Sequence, residues 1–299
     1  MRKWGTTVLW QSAKSFYANE AFQLAAAIAY YSLLSMAPLL LVVVAVAGVF
    51  FSDGTVQSQL VDQMGSLIGE EGAALTETVI ENTESKDESL FSLIVGMALT
   101  LFGATTVFAQ LQNALNRVWR VQPKPSNAVW NFVKHRLLSF ALVLSIGFLL
   151  MVSLVTTAVL AALHDFMNAA MAGAAFIWEA LNFGISFALA TVLIALMFKY
   201  LPDAEIEWRD TWLGGFVTAI LFVIGKSAIG LYLGQATAAS SFGAAGSVVV
   251  FMIWVYYASL IILFGAELTY AVANQRGAKV DPSEHARSTD ERVEDGVRQ

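Results

Sequence analysis

The chain has 299 residues, of which 57% are hydrophobic and 13% are charged. This composition is far from that of an average soluble domain and is typical of membrane proteins. The net charge of −6 gives no reason to expect a nucleic-acid partner. Because the sequence contains no cysteine, disulfides, thiolate metal ligands and a cysteine nucleophile are excluded.

Six long apolar stretches dominate the sequence. Each supplies the roughly 20 apolar residues that an α-helix needs to cross the hydrocarbon core. Runs of this length are helical, since a helix satisfies its own backbone polar groups in lipid. We therefore predict an all-α, polytopic membrane helix bundle with six transmembrane helices. The predicted spans are Ala21–Ser52, Ser89–Asn116, Leu137–Leu163, Ala180–Phe198, Thr211–Gly234 and Ser247–Ala266.

The basic residues between the spans predict the orientation. Fifteen of the 17 Lys and Arg residues fall on one side, Lys86 falls on the other, and Lys226 lies within a span. The loop at 53–88 on the sparse side holds nine acidic residues. The positive-inside rule places the basic side in the cytoplasm. We therefore predict a membrane protein with both termini in the cytoplasm.

Three regions follow from this topology. Residues 1–20 form an N-terminal cytoplasmic or interfacial segment, either an amphipathic helix on the membrane surface or an ordinary aromatic and basic anchor. Residues 21–275 form the transmembrane domain, and the first span is retained as a signal anchor. The polar, charged residues 276–299 predict a disordered cytoplasmic tail.

Lys226 is the clearest ionisable residue within a predicted span, where a charge is costly and marks a functional hypothesis. It either binds an anionic headgroup or solute or forms a structural salt bridge. Glu179 is the expected partner, about 8 Å away along the membrane normal. Glu267 lies about 17 Å from Lys226 by the same count and is expected to be structural or gating, near the inner mouth.

Several polar residues could line a cavity in the bundle. Tyr30 and Asn113 would form a water-filled cavity with Lys226, which is the candidate substrate-binding site. Hydrogen bonds between helices are the alternative explanation for these residues and for Asn116.

Structural or gating roles are predicted for a proline and two glycines. Pro38 frees a backbone carbonyl one turn earlier and predicts a kink in the first span. Gly230 and Gly234 form a GxxxG pattern, which favours close approach of another helix. Gly214, Gly215 and Gly225 in the same span have the same explanation.

No enzymatic motif is present: the sequence has no Walker loop, no GxSxG, no HExxH and no dinucleotide fingerprint. The three histidines fall at the inner surface, the outer surface and the tail in the predicted topology, so they cannot share a metal. We therefore predict that the protein is not an enzyme and holds no cofactor or metal.

Three ordered blocks of sequence resemble the YihY/BrkB family of bacterial inner-membrane proteins, over about residues 5 to 275. The resemblance implies a six-helix protein with both termini inside, in agreement with the charge count. The matching stretches are Ala25–Pro38, Leu111–Trp119 and a longer block with Tyr200–Asp203, Trp208–Asp210, Lys226, Gly230–Leu233 and Gly265–Leu268.

The family's activity is poorly settled, since members have been described as virulence factors, transporters and ribonuclease BN. We reject the nuclease because metal-dependent RNA cleavage needs clustered His and Asp ligands. We expect a transporter or exporter of a small solute or an anionic lipid. A non-transporting membrane scaffold for envelope assembly is the alternative, and ion–proton exchange ranks lower because neither Glu179 nor Glu267 lies at mid-membrane. The expected partners are membrane lipids, with oligomerisation left open.

Overall fold

The structure is a computed structural model of the chain. It describes residues 2–48, 57–58, 60–62, 64–65, 70–84, 106–124, 175–235, 246–277, 280–283 and 286–289. The third predicted span, Leu137–Leu163, and most of the second lie outside these residues.

The described part of the chain is built mainly from long helices. Four of them follow predicted apolar runs, because such runs satisfy their backbone polar groups internally. The helices are α1 (Arg2–Ala18), α2 (Ala21–Gly48), α3 (Glu70–Glu84), α4 (residues 106–118), α5 (Ala175–Tyr200), α6 (Trp208–Gln235) and α7 (Gly246–Gln275).

Three helices are long and apolar enough to cross a membrane. These stretches are Phe183–Tyr200 in α5, Trp208–Ile229 in α6 and Gly246–Gln275 in α7, and α2 contains a shorter apolar stretch, Ala21–Met36. α2 is helical through Pro38 and ends at Gly48. The structure therefore supports membrane-spanning helices, whereas the total of six stays a prediction.

The N-terminal segment is helical, and one face of α1 packs against α7. Val8 is buried with Ala271 and Val272, and the Phe16 ring meets that of Phe264 at 5.7 Å. Two aromatic residues seven positions apart, Trp10 and Tyr17, are 74% and 78% exposed. They lie opposite Val8 on the helix, and the position of this helix in the membrane interface stays a prediction.

Helices α6 and α7 interlock through two Gly–Thr pairs. A side chain at Gly214 would overlap Thr269, and a side chain at Gly265 would overlap Thr218. Each threonine hydroxyl donates to the glycine carbonyl four residues earlier in its own helix, at 2.6 Å for Thr218 and 2.7 Å for Thr269. The polar hydroxyls are thereby satisfied, and the two backbones come close together, as small residues allow in membrane helix pairs.

The end of the described chain differs from the expected disordered tail. Two short strands, β3 (Asp281–Pro282) and β4 (Ala286–Ser288), pair with strands that follow α5 and α4. β3 is antiparallel to β2 (Ala204–Glu205), and β4 is antiparallel to β1 (Val121–Pro123). Pairing with the distant strands β1 and β2 orders residues 281–282 and 286–288, and the composition of the tail carries no signal of this pairing.

One end of the bundle, called the polar end below, collects the charged residues next to the helix termini. Arg117 Nη2 lies 2.6 Å from Glu20 Oε2, and Arg276 Nη1 lies 3.1 Å from Asp210 Oδ1. The charge count placed these residues on a common side of the membrane. The side itself stays a prediction.

Candidate functional site: a polar cavity at the end of the bundle

A cavity of about 620 Å³ opens at the polar end, beside the C-terminal end of α4. Its volume is in the range of small-molecule sites. The wall also includes the turn between α1 and α2, the strand β1 and the last described residue of the tail. The residues that line it are Asn19, Asn113, Asn116, Arg117, Arg120, Val121, Gln122, Pro123 and Thr289.

Helix α4 and the turn after it supply four of these residues. Asn113, Asn116, Arg117 and Arg120 are spaced i, i+3, i+4 and i+7, which puts them along one face of a helix. Arg120 lies two residues beyond the end of α4, in the turn that follows it, and has a φ of 55°. This left-handed conformation usually falls to glycine and costs about 1 kcal/mol or more in another residue. The surrounding contacts must therefore hold Arg120 in place.

Asn116 joins α4 to the connection between α5 and α6. Its Nδ2 donates to Asp203 Oδ2 at 2.8 Å, and its Oδ1 accepts from the Asp203 backbone N–H at 2.7 Å. Asn116 is only 5% exposed. The two bonds together orient both the amide and the carboxylate, so this pair determines how the loop after α5 meets the wall of the cavity.

Arg117 is held by an ion pair with Glu20, the residue that links α1 to α2. Both side chains are about half exposed, so the pair adds at most about 1 kcal/mol to stability. Glu20 also has a φ of 55°. The ion pair therefore serves mainly to direct the Arg117 guanidinium along the cavity rim.

Arg120 lies over an aromatic ring. Its guanidinium carbon is 5.2 Å from the ring centre of Tyr270 on α7, a cation–π distance. Tyr270 in turn meets the buried ring of Trp119 edge-on at 5.8 Å. The Arg120 carbonyl accepts a hydrogen bond from Thr289 N at 2.9 Å, so the tail contacts the cavity at this residue.

Glu267 lies behind the cavity and is 1% exposed. Its Oε1 accepts a hydrogen bond of 2.6 Å from Asn19 Nδ2, and Asn19 lines the wall. A carboxyl group buried to this extent needs such a partner. The contact joins the turn between α1 and α2 to α7.

The predicted site residues are only partly brought together. Asn113 and Asn116 line the cavity, whereas Tyr30 and Lys226 are not among its lining residues. Tyr30 lies ten residues beyond Glu20 in α2, about 15 Å along the axis. Its side chain is 53% exposed and packs on Tyr31.

The remaining predicted residues lie elsewhere along the helices. Lys226 is exposed on α6, and by helix rise it is about 24 Å from Asp210 at the polar end. The side chain of Glu179 lies outside the described residues, so its pair with Lys226 stays a prediction. Gly230 and Gly234 are in α6. Their surroundings lie outside the described part of the structure, so the close helix approach that their GxxxG pattern predicts stays a prediction.

Sequence reasoning missed the two arginines of the wall. Arg117 and Arg120 were explained by membrane topology alone. Their spacing with Asn113 and Asn116 on one helical face was the signal that could have identified them. Asn19, Gln122 and Thr289 carried no comparable signal, because they reach the cavity through contacts between distant parts of the chain.

The apolar spans and the polar end together define an integral membrane protein. The profile of the family described as virulence factor BrkB matches residues 12–290. The chain therefore belongs to the YihY/BrkB family, which confirms the resemblance noted above. The match includes the residues that form β3 and β4.

Relatives of the chain include several UPF0761 membrane proteins. One from Rhodospirillum centenum is 30% identical over 273 residues, which cover 89% of this chain and 57% of the relative. One from Legionella pneumophila is 29% identical over 278 residues, or 91% of this chain and 64% of the relative. The chain thus spans about three-fifths of the length of these relatives. No solved structure matches the chain.

Proposed function

We propose that this membrane protein is a transporter or exporter of a small solute or an anionic lipid, and that it is not an enzyme. The observation that supports this proposal is the polar cavity of about 620 Å³ at the end of an apolar bundle. Two arginines and three asparagines on its wall suit an anionic or strongly polar cargo. In this proposal the cavity holds the cargo at one membrane surface.

Lys226 supplies a second charged position further along the proposed path. It is exposed on a helix long enough to span the membrane, where an unused charge is costly. We propose that it contacts the cargo after the cargo leaves the polar end. Tyr30 on α2 has the same proposed role as a lining residue.

Transport is tested with the full chain in phosphatidylglycerol vesicles that contain a fluorescent phosphatidylglycerol, whose exposure is followed by dithionite quenching. We expect faster quenching with the protein than without it. We expect Lys226→Met to lower the rate about tenfold, since a charge-assisted contact contributes 1.5–3 kcal/mol. The control is Lys199→Met, a lysine that bonds the Ile206 carbonyl outside the cavity wall.

Abundance and thermal stability of each variant separate a path residue from a structural one. A Lys226→Met protein that is scarce or unstable, with a normal rate per folded molecule, assigns the lysine a structural role. Absence of any lipid or phosphate movement by well-folded wild type contradicts transport. That result favours the alternative, a scaffold for envelope assembly. If a pH gradient imposed across the same vesicles also persists in the presence of the protein, ion–proton exchange is contradicted as well.

The proposed location is the bacterial inner membrane with both termini in the cytoplasm. The chain has no cysteine, so single cysteines report topology without background. We expect Ser85→Cys to react with a membrane-impermeant maleimide in intact spheroplasts, and Ser283→Cys to react only after lysis. Reaction of Ser283→Cys in intact spheroplasts would reverse the orientation.

Membrane lipids are the proposed partners, and the apolar exposed faces of α5 and α6 suit them. Phe183 is 57% and Ile224 61% exposed, as expected for residues that face lipid or another protein chain. We propose no nucleic-acid partner. Oligomerisation through these faces is compatible with the proposal.

A further inference from the structure

Two basic residues line the cavity wall, whereas the acidic residues nearby are not among the lining residues. Among the described residues, the charged side chains that line it are Arg117 and Arg120. The acidic groups nearby are each bonded to a wall residue from behind: Glu20 to Arg117, Asp203 to Asn116, and Glu267 to Asn19. The carboxylates therefore orient the wall, and the charged and amide groups offered to a ligand are those of Arg117, Arg120, Gln122 and three asparagines, beside Val121, Pro123 and Thr289.

Arg120 is the more available of the two bases. Among the described residues it contacts an aromatic ring and forms no ion pair. Its backbone is held in the left-handed region, with a φ of 55°, and its carbonyl is bonded by the tail. A residue that is held in a strained backbone conformation by its neighbours is typical of functional sites, because the strain fixes the orientation of its side chain.

A third guanidinium lies one strand away. Arg287 is directly opposite Gln122 in the β1–β4 pair, and opposite residues project from the same face of an antiparallel pair. Gln122 lines the cavity. Within the described part of the chain the Arg287 Nε is buried and has no hydrogen-bond partner. A buried donor without a partner is costly, and Arg287 lies beside a lining residue without lining the cavity itself.

We propose that this cavity is a binding site for a phosphate group, carried by a lipid headgroup or present as free phosphate. The guanidinium groups of Arg117 and Arg120 and the amides of three asparagines line the cavity, and several donors of this kind suit the several acceptor oxygens of a phosphate. The volume of about 620 Å³ leaves room for a headgroup attached to the phosphate. The inference deepens the proposed function, because it names the group that the cavity holds.

Binding is measured on the full-length protein in neutral detergent. Inorganic phosphate is titrated by calorimetry, and retention of phosphatidylglycerol against phosphatidylcholine is measured by native mass spectrometry. We expect Arg120→Gln and Arg117→Gln to weaken binding at least about tenfold each, the loss expected for one charge-assisted contact. The control is Arg209→Gln, an exposed arginine in the first turn of α6 that does not line the cavity.

A second substitution at Arg120 keeps the proposal testable if Arg120→Gln fails to fold. Arg120→Gly deletes the guanidinium and suits the positive φ, so we expect a folded protein that has lost phosphate binding. Binding of inorganic phosphate and its competition with the lipid indicate a site for free phosphate, and retention of phosphatidylglycerol alone indicates a lipid headgroup site. Equal affinities in wild type, Arg120→Gly and Arg209→Gln would overturn the proposal.

The binding and transport experiments test the two proposals separately. If phosphate or phosphatidylglycerol binds in detergent but no lipid moves across the vesicle membrane, the binding site is supported and the transport function is contradicted. If lipid moves across the vesicle membrane and the Arg120 variants show the same rate and the same binding as wild type, the proposed binding site is contradicted and the transport function is supported.

Discussion

Replacement of Asn116 by alanine is expected to destabilise the protein by about 2–3 kcal/mol, because two part-buried groups of Asp203, its backbone N–H and its carboxylate, each lose the hydrogen bond to Asn116. The Asn116 amide meets the backbone N–H and the side chain of Asp203 at 2.7 and 2.8 Å. In the Asn116→Ala protein both groups of Asp203 lose these bonds in a part-buried position. Unfolding by denaturant in detergent, followed by tryptophan fluorescence, measures the difference.

Asn113→Ala is the matched control for this experiment. Asn113 is one turn earlier in α4, has the same side chain and is exposed, so its removal should change stability by less than about 0.5 kcal/mol. In an Asn116→Ala/Asp203→Ala double mutant we expect a coupling energy of about 1–2 kcal/mol. Equal stabilities of the two alanine variants would mean that the Asn116–Asp203 pair does not hold the loop.

The second large effect is expected in the interlocked helix pair. A Cβ at Gly265 would lie 2.9 Å from the Cβ of Thr218 and closer still to its hydroxyl oxygen. Gly265→Ala therefore forces α6 and α7 apart, and overpacking of this kind costs about 1–3 kcal/mol. We expect a lower unfolding temperature and a lower membrane abundance than in wild type.

A second substitution should relieve the first. Thr218→Ala removes the hydroxyl and the methyl group nearest to the new side chain, so the Gly265→Ala/Thr218→Ala protein should recover part of the loss. The control is Gly184→Ala, because a side chain there would meet nothing within 4 Å. That change should be neutral or stabilising by up to about 1 kcal/mol, from helix propensity alone. A Gly265→Ala protein as stable as Gly184→Ala would contradict the interlock.

The hydropathy of the sequence predicted the long helices well, for a physical reason. The run Thr211–Gly234 corresponds to α6, Trp208–Gln235, because a membrane helix must be apolar along its length. The run Ser247–Ala266 is shorter than α7, which continues to Gln275. The extra turns are stabilised by packing of Ala271 and Val272 under α1, a tertiary contact that hydropathy does not report.

The cavity was less predictable than the helices. Asn113 and Asn116 were singled out as polar residues at the end of a span, and both line the cavity. Arg117 and Arg120 were assigned to topology, because the positive-inside rule already explains a charge next to a span and their spacing with Asn113 and Asn116 was not used. The two-stranded ribbons depend on hydrogen bonds between residues more than 70 positions apart, and such pairings carry no local signal.

The ribbons also set an order of assembly during synthesis. The strands β1 and β2 leave the ribosome long before β3 and β4, which follow α7 in the chain. The connections after α4 and α5 can therefore be joined to these strands only after α7 has been made. A ribosome that stalls before residue 281 leaves a chain with every described helix but without the two ribbons that join the connections at the polar end.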